Sequence, residues 1–359
     1  MMNILLVTPV FPPRIGGIEE LVATLGSTLV DQGHTVTVFT SGHRQRVTKP
    51  ELVEGMRVFR YKTLISPLGN PVVPSMILES LETKKFDVVH AHSYLHVSSC
   101  LAALASARKG TPTILTSHGA LHFPGLVGAV EKAYESLVVR PVLRRLQAII
   151  TISDFQKRIV HDIGVDSQRI RVIPNGLRFE KFPFKSKKNG PLLFLGRIVW
   201  FKGVLEAIEL AKKCRLPLNV VGEDRDVPDR GYVAKVRERC KGRIKYMGPV
   251  PESKKLELLS EARALIFLPL WDEPFGLTAV EAGACGTPVV ALSRGALPEI
   301  IRNGVNGFLC STTNEMSDVL SRLGDLDPAG CREFVLAKFN ADIMTARYCE
   351  VYKELVANN

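Results

Sequence analysis

The sequence predicts an α/β protein of two units, each built around a parallel sheet. Three observations point there. At 359 residues the chain exceeds the usual size of one domain. Short apolar runs alternate with amphipathic stretches, the pattern of repeated strand–helix units. That alternation lapses over the polar, punctuated stretch 182–191 and then restarts, so this stretch is read as the link between the units.

Residues 3–8 are expected as the first strand, 17–32 as a helix and 35–40 as the next strand. Three more buried strands are expected over 87–92, 112–117 and 148–153, and Pro174-Asn175-Gly176 marks a turn. The second unit opens with a strand over 191–196, a helix over 203–214 and a strand over 218–222. Strands over 244–247, 264–270 and 287–292 follow. Residues 341–356 have helical spacing, with Ile343, Tyr348, Val351, Tyr352 and Leu355 on one face.

Composition narrows the function. A hydrophobic content of 46% with 23% charged residues is that of a soluble globular protein. No apolar stretch reaches the roughly 18 residues of a membrane span. The run 4–10 holds Pro9 and has no basic residues before it, so it reads as a buried strand and not as a signal peptide. The seven cysteines are scattered without a C-x-x-C pair, which argues against a disulfide framework or a zinc site and fits a reducing cytoplasm. Three partners would explain the net charge of +11, namely nucleic acid, an anionic membrane or an anionic substrate, and thermophilic origin is another explanation. No nucleic-acid-binding motif is present and the charge is not gathered in a tail, so nucleic acid is set aside.

The most informative segment runs from Trp271 to Ala282, Trp-Asp-Glu-Pro-Phe-Gly-Leu-Thr-Ala-Val-Glu-Ala. Glu273 falls in the loop after a strand, where open α/β sheets bind ligands. Phe275, Gly276 and Leu277 straddle a helix start with outward N–H groups, and Glu281 lies about one turn in. Carboxylates beside bare N–H donors suit a ligand with hydroxyls and an anionic group, as a sugar nucleotide has. A second constellation, Gly196-Arg197-Ile198-Val199-Trp200-Phe201-Lys202-Gly203, follows a strand and feeds a helix. There Arg197 offers a planar fork and Lys202 a point charge, a pair suited to a diphosphate. A third loop, residues 11–19, carries Gly16 and Gly17 before a helix and permits close backbone approach to an anion, with Arg14 either a surface arginine or a third cation.

The first of these strings closely resembles the E-x7-E motif of family 4 of the retaining glycosyltransferases, and the second matches that family's G-R-x-x-x-x-K-G pattern. The resemblance covers nearly the whole chain and is strongest over 196–309. It implies the GT-B architecture: two facing Rossmann-like domains, with parallel sheets and an interdomain cleft. Residues 1–182 would form the acceptor-side domain and 183–340 the donor-side domain, with 341–359 a C-terminal helix returning to the first. The implied activity is transfer of a hexose from a nucleotide diphosphate sugar (UDP- or GDP-linked) to a hydroxyl acceptor, with retention at the anomeric carbon.

By the same resemblance His118, Arg197, Lys202 and Glu273 are the candidate catalytic residues. Arg197 and Lys202 would hold the donor phosphates, Glu273 the sugar hydroxyls, and His118, at the end of a strand, the donor sugar. Gly16, Gly17, Gly222, Val250, Phe275, Gly276, Leu277, Thr278 and Glu281 are the candidate donor-binding residues, with Glu281 accepting from the ribose hydroxyls. The family cups the base with backbone groups near Val220-Val221-Gly222-Glu223 and Met247-Gly248-Pro249-Val250, so the base is not legible in side chains.

No metal or other cofactor is expected. The pair His90 and His92 lacks an evident third ligand, and the D-x-D strings at Asp224–Asp226 and Asp325–Asp327 read as surface loop. His122 is expected to line the acceptor side. The stretch 132–147 sets Arg140, Arg144 and Arg145 beside Tyr134, Leu137, Val138, Val142 and Leu143. It reads as a contact for an anionic membrane surface carrying a lipid-linked acceptor, or as a basic helix with a buried core face. Two other activities fit the scaffold. A nucleotide-sugar epimerase would keep the phosphate grip without an acceptor, and a two-domain sugar-binding protein would need no chemistry.

Overall fold

The computed structural model describes residues 1–14, 16–42, 50–66, 70–82, 85–119, 125–224 and 229–358, with the backbone alone at 125–127. His122, Arg225 and Asp226 lie outside the described residues. The chain divides into two compact units, one of Met1–Leu177 with Ala341–Asn359 and one of Arg178–Asn340.

The strands of the first unit are β1 (Asn3–Val7), β2 (Thr35–Gly42), β3 (Glu51–Val53), β4 (Met56–Lys62), β5 (Val88–His92), β6 (Thr113–Ser117), β7 (Ala148–Thr151) and β8 (Ile170–Val172). Their order in the sheet is β3-β4-β2-β1-β5-β6-β7-β8, parallel except for the antiparallel β3–β4 pair. The second unit has β9 (Leu192–Leu195), β10 (Leu218–Val221), β11 (Ile244–Gly248), β12 (Leu265–Phe267), β13 (Val289–Leu292) and β14 (Gly307–Cys310), in the all-parallel order β11-β10-β9-β12-β13-β14. The helices that bear on the site are α1 (Gly17–Asp31), α2 (Asp154–Asp162), α3 (Val204–Lys213), α4 (Glu252–Glu261), α5 (Leu277–Ala284) and α6 (Ala341–Ala357).

Parallel strands need crossovers, and with helices on both faces the central strands β5, β6 and β7 are buried along their whole length. In β1, Leu5 and Val7 enter one core, while Ile4 and Leu6 enter the other beneath α1. Helix α6 closes that second core with Met344, Tyr348, Val351, Tyr352 and Leu355. Ile343 does not join that face as expected. It is exposed, and Met344 takes the inward place.

The stretch 182–191 also departs from expectation. The units divide between Leu177 and Arg178, because Phe179 and Phe182 are buried and tie the following segment to the second unit. Lys185 pairs there with Glu261 at 2.6 Å, and Lys188 Nζ donates to the carbonyls of Ser260 and Cys285, each at 2.7 Å. Among the described residues no helix is long and apolar enough to cross a membrane.

Each sheet has one place where successive crossovers diverge. In the first sheet β2 lies on one side of β1 and β5 on the other; in the second, β10 lies on one side of β9 and β12 on the other. The loop leaving β1 and the loop leaving β9 therefore each open at the carboxyl edge of their own sheet, the ligand position of open α/β sheets.

Candidate functional site

In the second unit the expected phosphate loop leaves β9 at its crevice. Ile198 and Val199 are buried and anchor it, and a tight turn over Trp200–Lys202 presents Lys202. Gly203 then starts α3 with φ 71°, and a Cβ there would strike the carbonyl of Leu268. Gly222 is equally constrained, since a Cβ would strike the Gly196 carbonyl. Both glycines let neighbouring loops touch backbone to backbone.

Strand β12 ends at Phe267, short of the expected 270, and the rest of that apolar run becomes a loop laid on the β9 loop. Leu270 N donates to Phe201 O at 2.9 Å. This contact carries Glu273 to Lys202, whose Nζ lies 2.6 Å from Glu273 Oε2. Trp271 Nε1 donates to the same oxygen at 3.2 Å, and the Lys202 ammonium stands 5.0 Å from the Trp271 ring centroid. Gly295, in the left-handed region at φ 57°, closes on the Glu273 backbone, and Ala296 N donates to Glu273 O at 2.8 Å. Glu273 is thus buried and held from three directions. Arg197 is exposed, with its guanidinium 5.8 Å from the Phe201 ring centroid and no carboxylate partner among the described residues.

Helix α5 begins with Gly276 as its cap residue, at φ 99° and without a capping side chain. The first-turn N–H groups around Leu277 and Thr278, both half-buried, have no helical carbonyl to serve. Phe275 turns its ring into the core against Phe339, at a centroid distance of 5.8 Å, so only its backbone faces the loop side. Glu281 is 3% exposed and forms an ion pair with Lys255 of α4 at 2.9 Å. Gly222 N bonds Gly248 O at 3.0 Å, tying the ends of β10 and β11 together, and half-buried Val250 follows just before α4.

The reading of Asp224 as surface loop is corrected. Its side chain is buried, paired with Arg237 at 2.5 Å and bonded by the Tyr246 hydroxyl, because β11 and the helix over 230–239 close around it. Asp325 and Asp327 are exposed, and Asp327 caps the helix over 328–338. Among the described residues no group of three or more His, Cys, Asp or Glu is arranged to hold a metal ion.

In the first unit Gly16 and Gly17 open α1. A Cβ on Gly16 would strike the buried carboxylate of Glu19, which folds back over the helix start and pairs with Arg14 at 3.5 Å. His118 follows β6 and bonds through Nε2 to His92 Nδ1 at 3.0 Å. The His92 ring lies against that of His90, tilted by 34° at a centroid distance of 4.0 Å. His90 in turn bonds the Tyr352 hydroxyl of α6 and Thr116 Oγ1, each at 2.7 Å. Burial, reinforced by the charge of His96, lowers the His118 pKa to about 3, so the ring is neutral near pH 7. With its amide oriented so that both bonds form, Gln156 of α2 donates to Ser117 O and accepts from Gly119 N, each at 2.9 Å. It therefore brackets the His118 backbone.

The stretch 132–147 spends most of its apolar residues internally. Val142 and Leu143 are buried and Tyr134 donates its hydroxyl to Tyr94 O, while Leu137 stays 76% exposed. Sequence reasoning named neither Trp271, Lys255 and Gln156 as partners of the site nor His92 as a partner of His118. Trp271 carried a signal, since it adjoins Glu273 and is one of only two tryptophans. Lys255 and Gln156 carried none, because their partners lie on other elements.

Residues 15–181 match the model of Glycosyltransferase Family 4, and residues 178–323 match that of Glycosyl transferases group 1. The glycogen synthase of Mycobacterium tuberculosis is 30% identical over 349 residues, covering 86% of this chain and 82% of the relative. The gpi3 subunit of the phosphatidylinositol N-acetylglucosaminyltransferase of Schizosaccharomyces pombe is 25% identical over 88% of this chain and 71% of its own. Among solved structures, the sucrose-phosphate synthase of Thermosynechococcus elongatus superposes with a TM-score of 0.80 at 20% identity, over 99% of this chain and 100% of the other. Anabaena HepE, in complex with UDP and glucose, gives 0.78 at 18% identity, over 99% and 100%. Both neighbours share the fold.

Proposed function

The chain belongs to glycosyltransferase family 4, with a group 1 glycosyltransferase module in its second half, and on that premise we propose that it transfers a hexose from a nucleotide diphosphate sugar to a hydroxyl acceptor with retention at the anomeric carbon. That it is a glycosyltransferase follows from its family. The donor class is supported by the meeting of Lys202 and Glu273 beside the uncapped start of α5, a cation and a carboxylate next to bare N–H groups. It is also supported by the UDP and glucose named for the HepE structure.

The roles proposed follow the chemistry of each group. Arg197 and Lys202 bind the diphosphate and stabilise its growing charge as it leaves. Glu273 binds sugar hydroxyls near the anomeric carbon, Glu281 accepts from the ribose, and His118 contacts the donor sugar. Gly276, Leu277 and Thr278 offer backbone N–H groups to phosphate. The bond from the anomeric carbon to the diphosphate oxygen breaks, and the acceptor oxygen bonds that carbon on the same face. The acceptor proton passes to the departing phosphate. One oxygen of Glu273 is already occupied by Lys202 and Trp271, which supports this front-face route over a covalent intermediate on Glu273.

The acceptor class proposed is a saccharide or lipid-linked hydroxyl, reached from the cytoplasmic side of an anionic membrane. The phosphatidylinositol-transferase relative and the exposure of Leu137, Arg144 and Arg145 within the stretch 132–147 support the lipid-linked form. The test is a panel of nucleotide sugars with saccharide and lipid acceptors, followed by product mass spectrometry. A glycosylated acceptor with released nucleoside diphosphate is expected. An isomerised sugar from donor alone would replace this reading with an epimerase.

A further inference from the structure

Neighbouring strands β5 and β6 carry three histidine rings to one face. His92 pairs with Thr116 across the sheet, so His118, two residues beyond, is its diagonal neighbour on the same face. The 3.0 Å bond between His92 Nδ1 and His118 Nε2 joins two imidazoles, and one of them must be the donor. The other nitrogen of His92, Nε2, is buried and has no partner among the described residues. That orphan decides the direction. If His92 accepted at Nδ1, its proton would sit on Nε2 as a buried N–H without an acceptor. If His92 donates from Nδ1, only a lone pair is left unused, and orphaned buried donors are the rarer and costlier case.

The rings around this bond hold it in place. His90 lies against His92 with both of its nitrogens engaged by Tyr352 and Thr116, so it cannot serve His92. Gln156 fixes the backbone on each side of His118. His118 Nδ1 has no hydrogen-bond partner among the described residues.

We propose that His92 is a positioning residue: it donates from Nδ1 to His118 Nε2 and fixes His118 in the tautomer that carries its proton on Nδ1, the nitrogen left for a ligand. His118 then meets the donor sugar as a neutral hydrogen-bond donor aimed at an oxygen, and not as a base. This rests on the reading that His118 contacts the donor sugar.

The experiment is a two-bond proton–nitrogen correlation spectrum of the full chain labelled in its histidine rings, with His118→Asn used to assign the signals. A protonated Nδ1 and an unprotonated Nε2 on His118 are expected in the wild type. His92→Phe removes the donor, so the proton should redistribute between the two nitrogens, with turnover falling about tenfold and KM for the donor rising. His92→Asn, whose amide nitrogen can occupy the place of Nδ1, should restore both the tautomer and most of the turnover. A wild-type His118 protonated on Nε2 would overturn the proposal, even if His92→Phe failed to fold. An unchanged tautomer in a folded His92→Phe would do the same. If no nucleotide sugar is turned over at all, the functional reading falls while the spectrum still decides this one.

Discussion

Lys202 Nζ stands 2.6 Å from Glu273 Oε2, with side chains only 16% and 8% exposed. Two residues expected to bind different parts of one ligand are therefore partners of each other. Removing one member of such a pair leaves an uncompensated buried charge, at a cost of roughly 3–5 kcal/mol. Lys202→Met is expected to lower the thermal midpoint clearly, and Lys202→Met with Glu273→Gln to recover much of the loss. A double-mutant cycle by urea unfolding reads the coupling, and a Lys202→Met variant as stable as wild type would show the pair to be inert.

Kinetics should separate the roles around this pair. Glu273→Gln is expected to lower turnover more than donor affinity, and Glu281→Gln to weaken binding with little change in turnover. Arg197→Ala should reduce both, since its charge would serve the diphosphate in the bound donor and more so as it leaves. Trp271→Phe keeps the ring but removes its bond to Glu273, and about a tenfold loss of turnover is expected from some 1.4 kcal/mol. Steady-state kinetics with calorimetric titration of nucleoside diphosphate measures all four. Wild-type turnover in Glu273→Gln would remove Glu273 from the chemistry.

Lys255 holds the buried Glu281 at 2.9 Å. Lys255→Met is expected to weaken nucleoside diphosphate binding at least as much as Glu281→Gln, because the carboxylate loses its counter-charge and its fixed rotamer. Lys255→Arg should retain most of the affinity. Calorimetry on the three variants decides, and unchanged affinity in Lys255→Met would make this a purely structural pair.

Acid should weaken the first unit. Burial is the main cause lowering the pKa values of His90, His92, His96 and His118, to about 4 for His96 and about 3 for His118. The folded state keeps these rings neutral, while the unfolded chain protonates them near 6.5. Their contribution is fully present above about pH 6.5 and is lost as the pH falls toward the folded values. Each ring then lowers the unfolding free energy by up to about 1.4 kcal/mol per pH unit. Thermal midpoints at pH 7.5 and 5.0 test this. An equal midpoint at both would mean that the rings protonate in the folded state.

Turnover is expected to persist in excess chelator, since Arg197 and Lys202 supply the charge that a divalent ion would bring to a diphosphate. Donor turnover with chelator, then with added magnesium or manganese, measures it. Complete loss restored by metal would contradict the expectation.

Much of this protein was legible in its sequence. Apolar runs of four to eight residues between amphipathic stretches specify buried parallel strands, because both faces of such a sheet are covered. The glycines at 203, 222 and 276 mark turns and close approaches that a side chain would block, and Trp271 to Ala282 names a strand end, a loop and a helix start in one string. What the sequence could not supply is who meets whom. The β9–β12 neighbourhood brings Lys202 to Glu273, and only strand order creates it. Lys255 reaches Glu281, and Gln156 brackets His118, because separate helices pack at those ends. Burial of Asp224 and exposure of Ile343 likewise follow from which neighbours close over them. Local pattern is set by neighbours along the chain. Pairing and burial are set by elements distant in sequence, and those the tertiary structure alone decides.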